Sequence, residues 1–291
     1  MPRNIQLFVI DAQRSFCAVV DPAFQQTQHD GELCIPGAWD DMVRLAALVK
    51  RIGGKLTDIT VTLDSHHQFH VAHPIYWRSV RTNFPPAPFT VLREHHGIVH
   101  GCSCLDETDL GEFRTVRHGY MKRAVDYLRA LDAGHRYPHI IWPPHGLIGT
   151  PGHNIVAPLA EALFAWERDN ITHGRGMFCK VIKGSNPHVE HFSAVRAEVI
   201  DPSDITTQLN TELIAALMAG DEILLAGEPL SHALANTVRD IAQVNNAFIR
   251  KCVLLRDATS NVPYTEVMGD NFIKEMTRCG MKVTTTKDYM A

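Results

Sequence analysis

The chain has 291 residues, 45% of them hydrophobic, and carries 28 basic against 32 acidic side chains for a net charge of −4. The charge balance offers no cationic field for nucleic acid or anionic lipid. No apolar run reaches the ~20 residues needed to span a bilayer, and the N-terminus reads as lacking a secretion signal. The length suits a single domain, since one core stops growing near roughly 250–300 residues. Seven cysteines without regular spacing predict reduced thiols and a cytoplasmic protein. Cys102 and Cys104 lack the second pair that a structural zinc site requires.

In chain order, Ile5–Ile10 is a nearly continuous apolar run, the mark of a strand covered on both faces. Ala38–Arg51 carries a helical stripe of Trp39, Met42, Val43, Leu45, Ala46 and Val49 that Gly53–Gly54 stops. Ile59–Leu63 is a second, β-branched strand. Residues from about 74 to 137 break the rhythm with prolines, histidines and glycines and one predicted helix over Lys122–Leu131. They read as an elaborated insertion within one domain spanning 1–291, too poor in periodic apolar residues for a core of their own, and suited to a lid, a pocket wall or an interface.

The rhythm resumes with a strand at His139–Trp142, a helix over Asn154–Arg168 and a strand at Phe178–Ile182. Helix Thr206–Met218 then leads to strand Glu222–Ala226, and helix Leu234–Val244 to strand Cys252–Leu255. Helix Tyr264–Arg278 precedes a last strand from Met281. Strands alternating with helices predict an α/β, doubly wound, mostly parallel sheet of about six strands with helices on both faces.

Ligands of such sheets bind beyond the carboxyl ends of the strands. Those ends here are Asp11, Asp64-Ser65-His66, Trp142 to His145, Lys183-Gly184, Gly227-Glu228-Pro229 and Asp257. Asp64 and His66 are two apart and project to one side of an extended stretch. With His145 they are suited to a divalent ion such as Zn²⁺, Fe²⁺ or Mn²⁺. The competing reading is that these histidines only bond to loop backbone, and His67, His70 and His73 crowd the same loop. Asp11 and Lys183 are suited either to proton transfer or to a structural ion pair.

Taken together, these motifs resemble the nicotinamidase branch of the isochorismatase-like cysteine hydrolases. The matching segments are Phe8 to Phe16, Thr62 to His66, Trp142 to His145 with Gly149 to Gly152, Val181 to Gly184 with Phe192-Ser193, Gly227 to Asp240, and Asp257-Ala258. The resemblance implies an amidohydrolase of a small planar carboxamide, nicotinamide first, acting through a thioester. It implies Asp11 as the proton acceptor, Lys183 as its charge partner, and oxyanion donors from the backbone around Glu228, Pro229, His232 and position 233. One divalent ion, zinc favoured, would sit at Asp64, His66 and His145 and orient the pyridine nitrogen. Phe16 and Trp142 would pack against the ring, or serve only as buried structural aromatics. The resemblance also implies a homo-oligomer and, at Glu228–Pro229, a cis peptide bond, which before proline costs only about 0.5–1 kcal/mol. Glu228 itself is expected on a solvent-facing loop, the alternative being a contact with the substrate. The alternative substrate is another small amide, such as a maleamate or carbamoyl compound.

The nucleophile is missing. The family's cysteine falls at Ala233, and a methyl group cannot attack a carbonyl. Three readings follow: a cysteine replaced by alanine, a natural inactive relative that still binds ligand, or a nucleophile shifted to Ser231. We favour the first, because Asp11, Lys183 and the metal motif all remain.

Overall fold

The computed structural model describes residues 3–17, 33–173 and 176–291. Strand β1 (Ile5–Ile10) is buried along its whole length, and its side chains alternate between two apolar layers. Leu7 and Val9 join Met42 and Leu45 of helix α1 (Ala38–Ile52) and Leu159 and Leu163 of α3 (Ala157–Thr172). Phe8 and Ile10 join Leu217 of α4 (Thr211–Met218), Ile241 of α5 (Ala235–Val244), Phe248 of α6 (Ala247–Lys251) and Phe272 of α7 (Glu266–Arg278). Each such side chain contributes roughly 1.5–3 kcal/mol when fully buried, so the strand is held from both sides.

The main sheet is doubly wound, as the strand–helix rhythm predicts. Its order is β11 (Lys282–Thr284), β10 (Cys252–Leu255), β9 (Glu222–Gly227), β1, β2 (Leu56–Asp64) and β8 (Cys179–Lys183), with all neighbours parallel. The chain passes from β1 to β2 on one side and later returns to lay β9 on the other. A crevice opens where these two directions part, at the carboxyl ends of β1 and β9.

Two expectations are corrected. The run at His139–Trp142 does not enter the main sheet: only His139–Ile140 forms a strand, β7, which pairs antiparallel with β4 (Thr90–His95). The edge of β2 is occupied by β8, from Thr60↔Cys179 to Asp64↔Lys183. The insertion also contains an apolar cluster of its own. β3 (Trp77–Ser79), β6 (Asp109–Thr115), β5 (Ile98–Ser103), β4 and β7 form a second sheet in that order. Helix α2 (Met121–Ala133) lays Val125, Leu128 and Leu131 on Trp77, Leu92, Val99 and Phe113, with Val71, Ile141 and Val189 from the flanking chain. β3, β4, β5 and β6 contribute one of these residues each, so no period marks the cluster until the strands pair.

Helix starts also shift. α4 begins at Thr211, where the Asn210 side chain accepts from Leu213 N–H at 2.9 Å. α5 is preceded by a π-helical turn, Leu230–Leu234. Among the described residues no helix is long and apolar enough to cross a membrane.

Candidate active site and metal centre

Asp11 follows β1 directly and has a φ of 42°, a region that non-glycine residues use sparingly and that clusters at functional sites. Thr62 of β2 holds it there: Asp11 N–H donates to Thr62 Oγ1 at 3.0 Å, and the Thr62 hydroxyl donates to Asp11 Oδ1 at 2.6 Å. The other oxygen, Oδ2, lies 2.8 Å from Lys183 Nζ. Lys183 ends β8 in register with Asp64, so its ammonium also reaches Asp64 Oδ1 at 3.1 Å, and it donates to His191 O at 3.0 Å. Three oxygen partners match the three protons of the ammonium. Burial works against the Lys183 charge, but Asp11 and Asp64 outweigh it and its pKa is raised. Burial raises Asp11 to about 6, against the pull of Lys183.

Asp64 is fixed by Gln13, whose amide donates to Asp64 O at 2.8 Å and accepts from Asp64 N–H at 2.7 Å. His66 Nδ1–H donates to Gly184 O at 3.0 Å and His145 Nδ1–H to Pro143 O at 2.8 Å. Both rings therefore turn an Nε2 lone pair inward. His66 Nε2 stands 3.1 Å from Asp64 Oδ1 and His145 Nε2 3.4 Å from Asp64 Oδ2. Lone pairs facing a carboxylate repel unless a cation or proton sits between them. Burial disfavours a charged His66, yet Asp64 overrides it and raises its pKa, while His66 and Lys183 hold the buried Asp64 carboxyl well below its ordinary range. The three ligand atoms lie within 4.8 Å of one another, so this cluster fits a divalent metal ion. Gly184, at φ +85°, is required here: a Cβ on it would lie 2.8 Å from Asp64 Oδ1 and 2.9 Å from His66 Cε1.

The neighbouring histidines sort by their bonds. His67 is exposed. His70 Nδ1 accepts from Ala72 N–H at 3.2 Å, so its neutral ring carries the proton on Nε2 and offers no lone pair there. His73 donates Nδ1–H to Gln68 O at 3.1 Å and keeps a buried, unpartnered Nε2 beside His66 and His145.

Asp11, Asp64, Lys183 and His145 open onto one small cavity with about 20 Å³ of free volume. Phe16, Trp142 and Pro229 line it, together with His232 and the methyl of Ala233. Phe16 leans on His145 at 5.4 Å between ring centroids, and Trp142 meets His232 edge-on at 5.4 Å. Phe192 joins the wall, and Leu33, Glu190 and Val262 complete it without having been singled out in the sequence. Phe192 follows the lysine segment and had a motif to mark it. Glu190 stands in an aperiodic loop, with Oε2 buried and unpartnered, and had no signal. Among the described residues, no side chain from 74 to 137 lines this cavity. Wider hollows lie between α1 and α3 and beside β8, but neither holds a buried ionisable side chain.

Glu228–Pro229 is cis, as expected. Glu228 itself is fully buried, not solvent-facing, and accepts from Ser260 N–H at 3.0 Å behind the cavity. Asp257 also lies off the site, accepting from Thr286 N–H and Oγ1–H at 2.6 and 2.7 Å. Ser231 does not line the cavity; its hydroxyl is bonded to Thr265 and His232, which removes the support for a nucleophile shifted there.

The same architecture recurs in solved structures. The yeast nicotinamidase bound to the inhibitor nicotinaldehyde superposes with a TM-score of 0.59 at 16% identity, over 97% of this chain and 99% of that one. A nicotinamidase/pyrazinamidase of Acinetobacter baumanii gives 0.60 at 16% identity over 99% of both chains. A pyrazinamidase of Pyrococcus horikoshii in complex with zinc gives 0.51 at 16% identity, over 97% of this chain and 99% of that one. The chain has the isochorismatase-like hydrolase fold. No protein-family model matches it, and no curated protein matches it by sequence. In that fold, the Asp–Lys pair and the Asp–His–His cluster of this chain share one crevice at the ends of β1, β2, β8 and β9.

Proposed function

We propose that this protein keeps the binding half of a metal-containing amidohydrolase site and lacks its covalent half. The ligand is a small planar carboxamide, nicotinamide first, held beside a divalent ion that is zinc by preference. One observation carries this reading: the Asp11–Lys183–Asp64 chain of contacts and the Asp–His–His cluster converge on a cavity whose remaining reactive position is the methyl of Ala233. When bound, the ion supplies a Lewis-acidic anchor for a ligand lone pair. Phe16, Trp142 and Phe192 give flat apolar faces for a ring. Asp11 Oδ2 is the proton acceptor and Lys183 holds it oriented. Without a thiol at 233, no acyl-enzyme forms.

The test restores the missing group. Zinc-loaded Ala233→Cys protein should release ammonia from nicotinamide while the unaltered chain does not: Asp11 accepts the thiol proton, the thiolate bonds to the amide carbon, ammonia leaves with that proton, and water cleaves the thioester. Folded, metal-loaded Ala233→Cys protein that is silent on nicotinamide, on maleamate and on carbamoyl compounds would end the amidase reading. Cleavage of one of the latter pair alone would move the substrate to that class. The absence of insertion residues from the cavity wall favours nicotinamide over a rebuilt pocket.

A further inference from the structure

Glu228 is fully buried immediately before Pro229, a wall residue of the cavity. Ser260 straddles that step: its N–H donates to Glu228 Oε2 at 3.0 Å, and its carbonyl accepts from Leu230 N–H at 2.8 Å. The Ser260 hydroxyl donates to Oδ2 of Asp41, on helix α1, at 2.6 Å. One serine therefore holds two buried carboxyl groups, and those two groups also hydrogen-bond to each other. Two ionised carboxylates offer no proton for such a bond, so one of the pair is a carboxylic acid.

The surroundings decide which one. Asp41 Oδ1 accepts from the Arg44 guanidinium, and Oδ2 from the Ser260 hydroxyl. Glu228 Oε2 has one backbone N–H, and Oε1 is buried with no partner. The Arg256 guanidinium also favours a charged Glu228, but it is bonded to Thr259 O at 3.1 Å. Cys17 lies near the pair as well, its thiol pushed up by burial and then by Glu228 and Asp41. The anion belongs where the guanidinium and hydroxyl donate, and the proton belongs on Glu228. Burial pushes Glu228 well above the usual carboxylate range, and the Asp41 charge adds to it.

We propose that Glu228 carries a single proton shared with Asp41, and that this bond is a pH-sensitive clamp joining α1 to the cavity wall at Pro229. The clamp goes beyond the carboxamide reading and holds whichever ligand the cavity takes. When the proton leaves, two buried negative charges face each other and the clamp is lost. Below about pH 4.3 the unfolded chain carries the proton too, and the clamp contributes in full. As the pH rises the unfolded chain gives its proton up first, so the contribution falls until the folded chain releases its own.

Glu228→Gln tests this, because its amide can donate to Asp41 at every pH. In urea unfolding of the full chain, the folding equilibrium constant of the unaltered protein should fall about tenfold per pH unit relative to Glu228→Gln, from about pH 5 to about pH 7. The infrared spectrum at about pH 7 should show a carboxylic-acid carbonyl band that Glu228→Gln removes. Stability profiles that run parallel in the two proteins, or a spectrum that Glu228→Gln leaves unchanged, overturn the clamp. If Glu228→Gln does not fold, Asp41→Asn decides. Taking away the neighbouring charge should make the band vanish at a lower pH than in the unaltered protein, and an unmoved midpoint overturns the clamp.

Discussion

The ammonium of Lys183 is the residue on which most of the site depends, because it is the buried positive charge between two buried carboxylates. Lys183→Met would leave Asp11 and Asp64 facing each other without it. Breaking a buried pair in this way costs on the order of 3–5 kcal/mol, and a shift of that size should appear in urea unfolding of the metal-free protein. His139 tests burial by itself. It is buried, donates Nε2–H to Val71 O at 3.0 Å, and desolvation lowers its pKa to about 4. The unfolded chain binds this proton below about pH 6.5 and the folded chain only near 4. Its contribution is therefore complete above pH 6.5 and is lost as the pH falls toward 4. His139→Gln should flatten the stability profile across that window by roughly 3 kcal/mol; an unchanged slope would show that His139 is not buried as a neutral ring.

At the level of elements, the site is built by register and by turns. Parallel pairing of β2 with β8 brings Lys183 to Asp64, and parallel pairing of β1 with β9, up to Ile10↔Gly227, sets Asp11 beside the cis Glu228–Pro229 bend. Gly227 closes β9 at φ +106°, where an added Cβ would lie 1.9 Å from Ile10 O. Gly227→Ala should therefore destabilise the fold by roughly 3 kcal/mol or more. Gly54→Ala, which meets nothing within 4 Å, should stay within about 1 kcal/mol of the unaltered protein. Thermal melts of the pair separate the two. The positions of β1, β2, β9 and β10 could be read from apolar runs alone. β7 and the second sheet could not: β3 and β7 are too short to carry a period, and β4, β5 and β6 each place a single residue in the apolar cluster.

For the whole molecule, a buried ion cluster ties the insertion to the main fold. Arg136 reaches Glu198 at 2.6 Å and Asp240 of α5 at 2.8 Å, and Arg196 adds a second cation to Asp240 at 2.9 Å. Arg136→Leu leaves Glu198 buried without its partner. It should lower stability by about 3 kcal/mol, with hydrogen exchange rising in 77–133 before it rises in β1. Metal binding is coupled to the same fold. Zinc should raise the melting temperature in a concentration-dependent way that a chelator reverses, because an ion that binds only the folded cluster stabilises by mass action. Asp64→Asn should abolish that response, and a zinc response surviving in it would move the metal away from this cluster.

The residue types and their place at strand ends were legible in the sequence, because a parallel α/β fold writes each strand as an apolar run and puts polar chemistry where the run stops. Asp11, Asp64, His66 and Lys183 follow from that rule; His145 does not, because its run stays out of the main sheet, and the vacancy at Ala233 was implied only by the family resemblance. What only the tertiary structure decided depends on contacts between distant segments. It decided which of the crowded histidines turns a lone pair inward, that Ser231 bonds to Thr265 behind the cavity, that Glu228 is buried, and that an insertion of scattered apolar residues closes around Trp77. A hydrogen-bond partner leaves no periodic trace in the chain, whether it is distant, as Gly184 is from His66, or in the same loop, as Gln68 is from His73, and it is that partner which sets a side chain's direction and protonation.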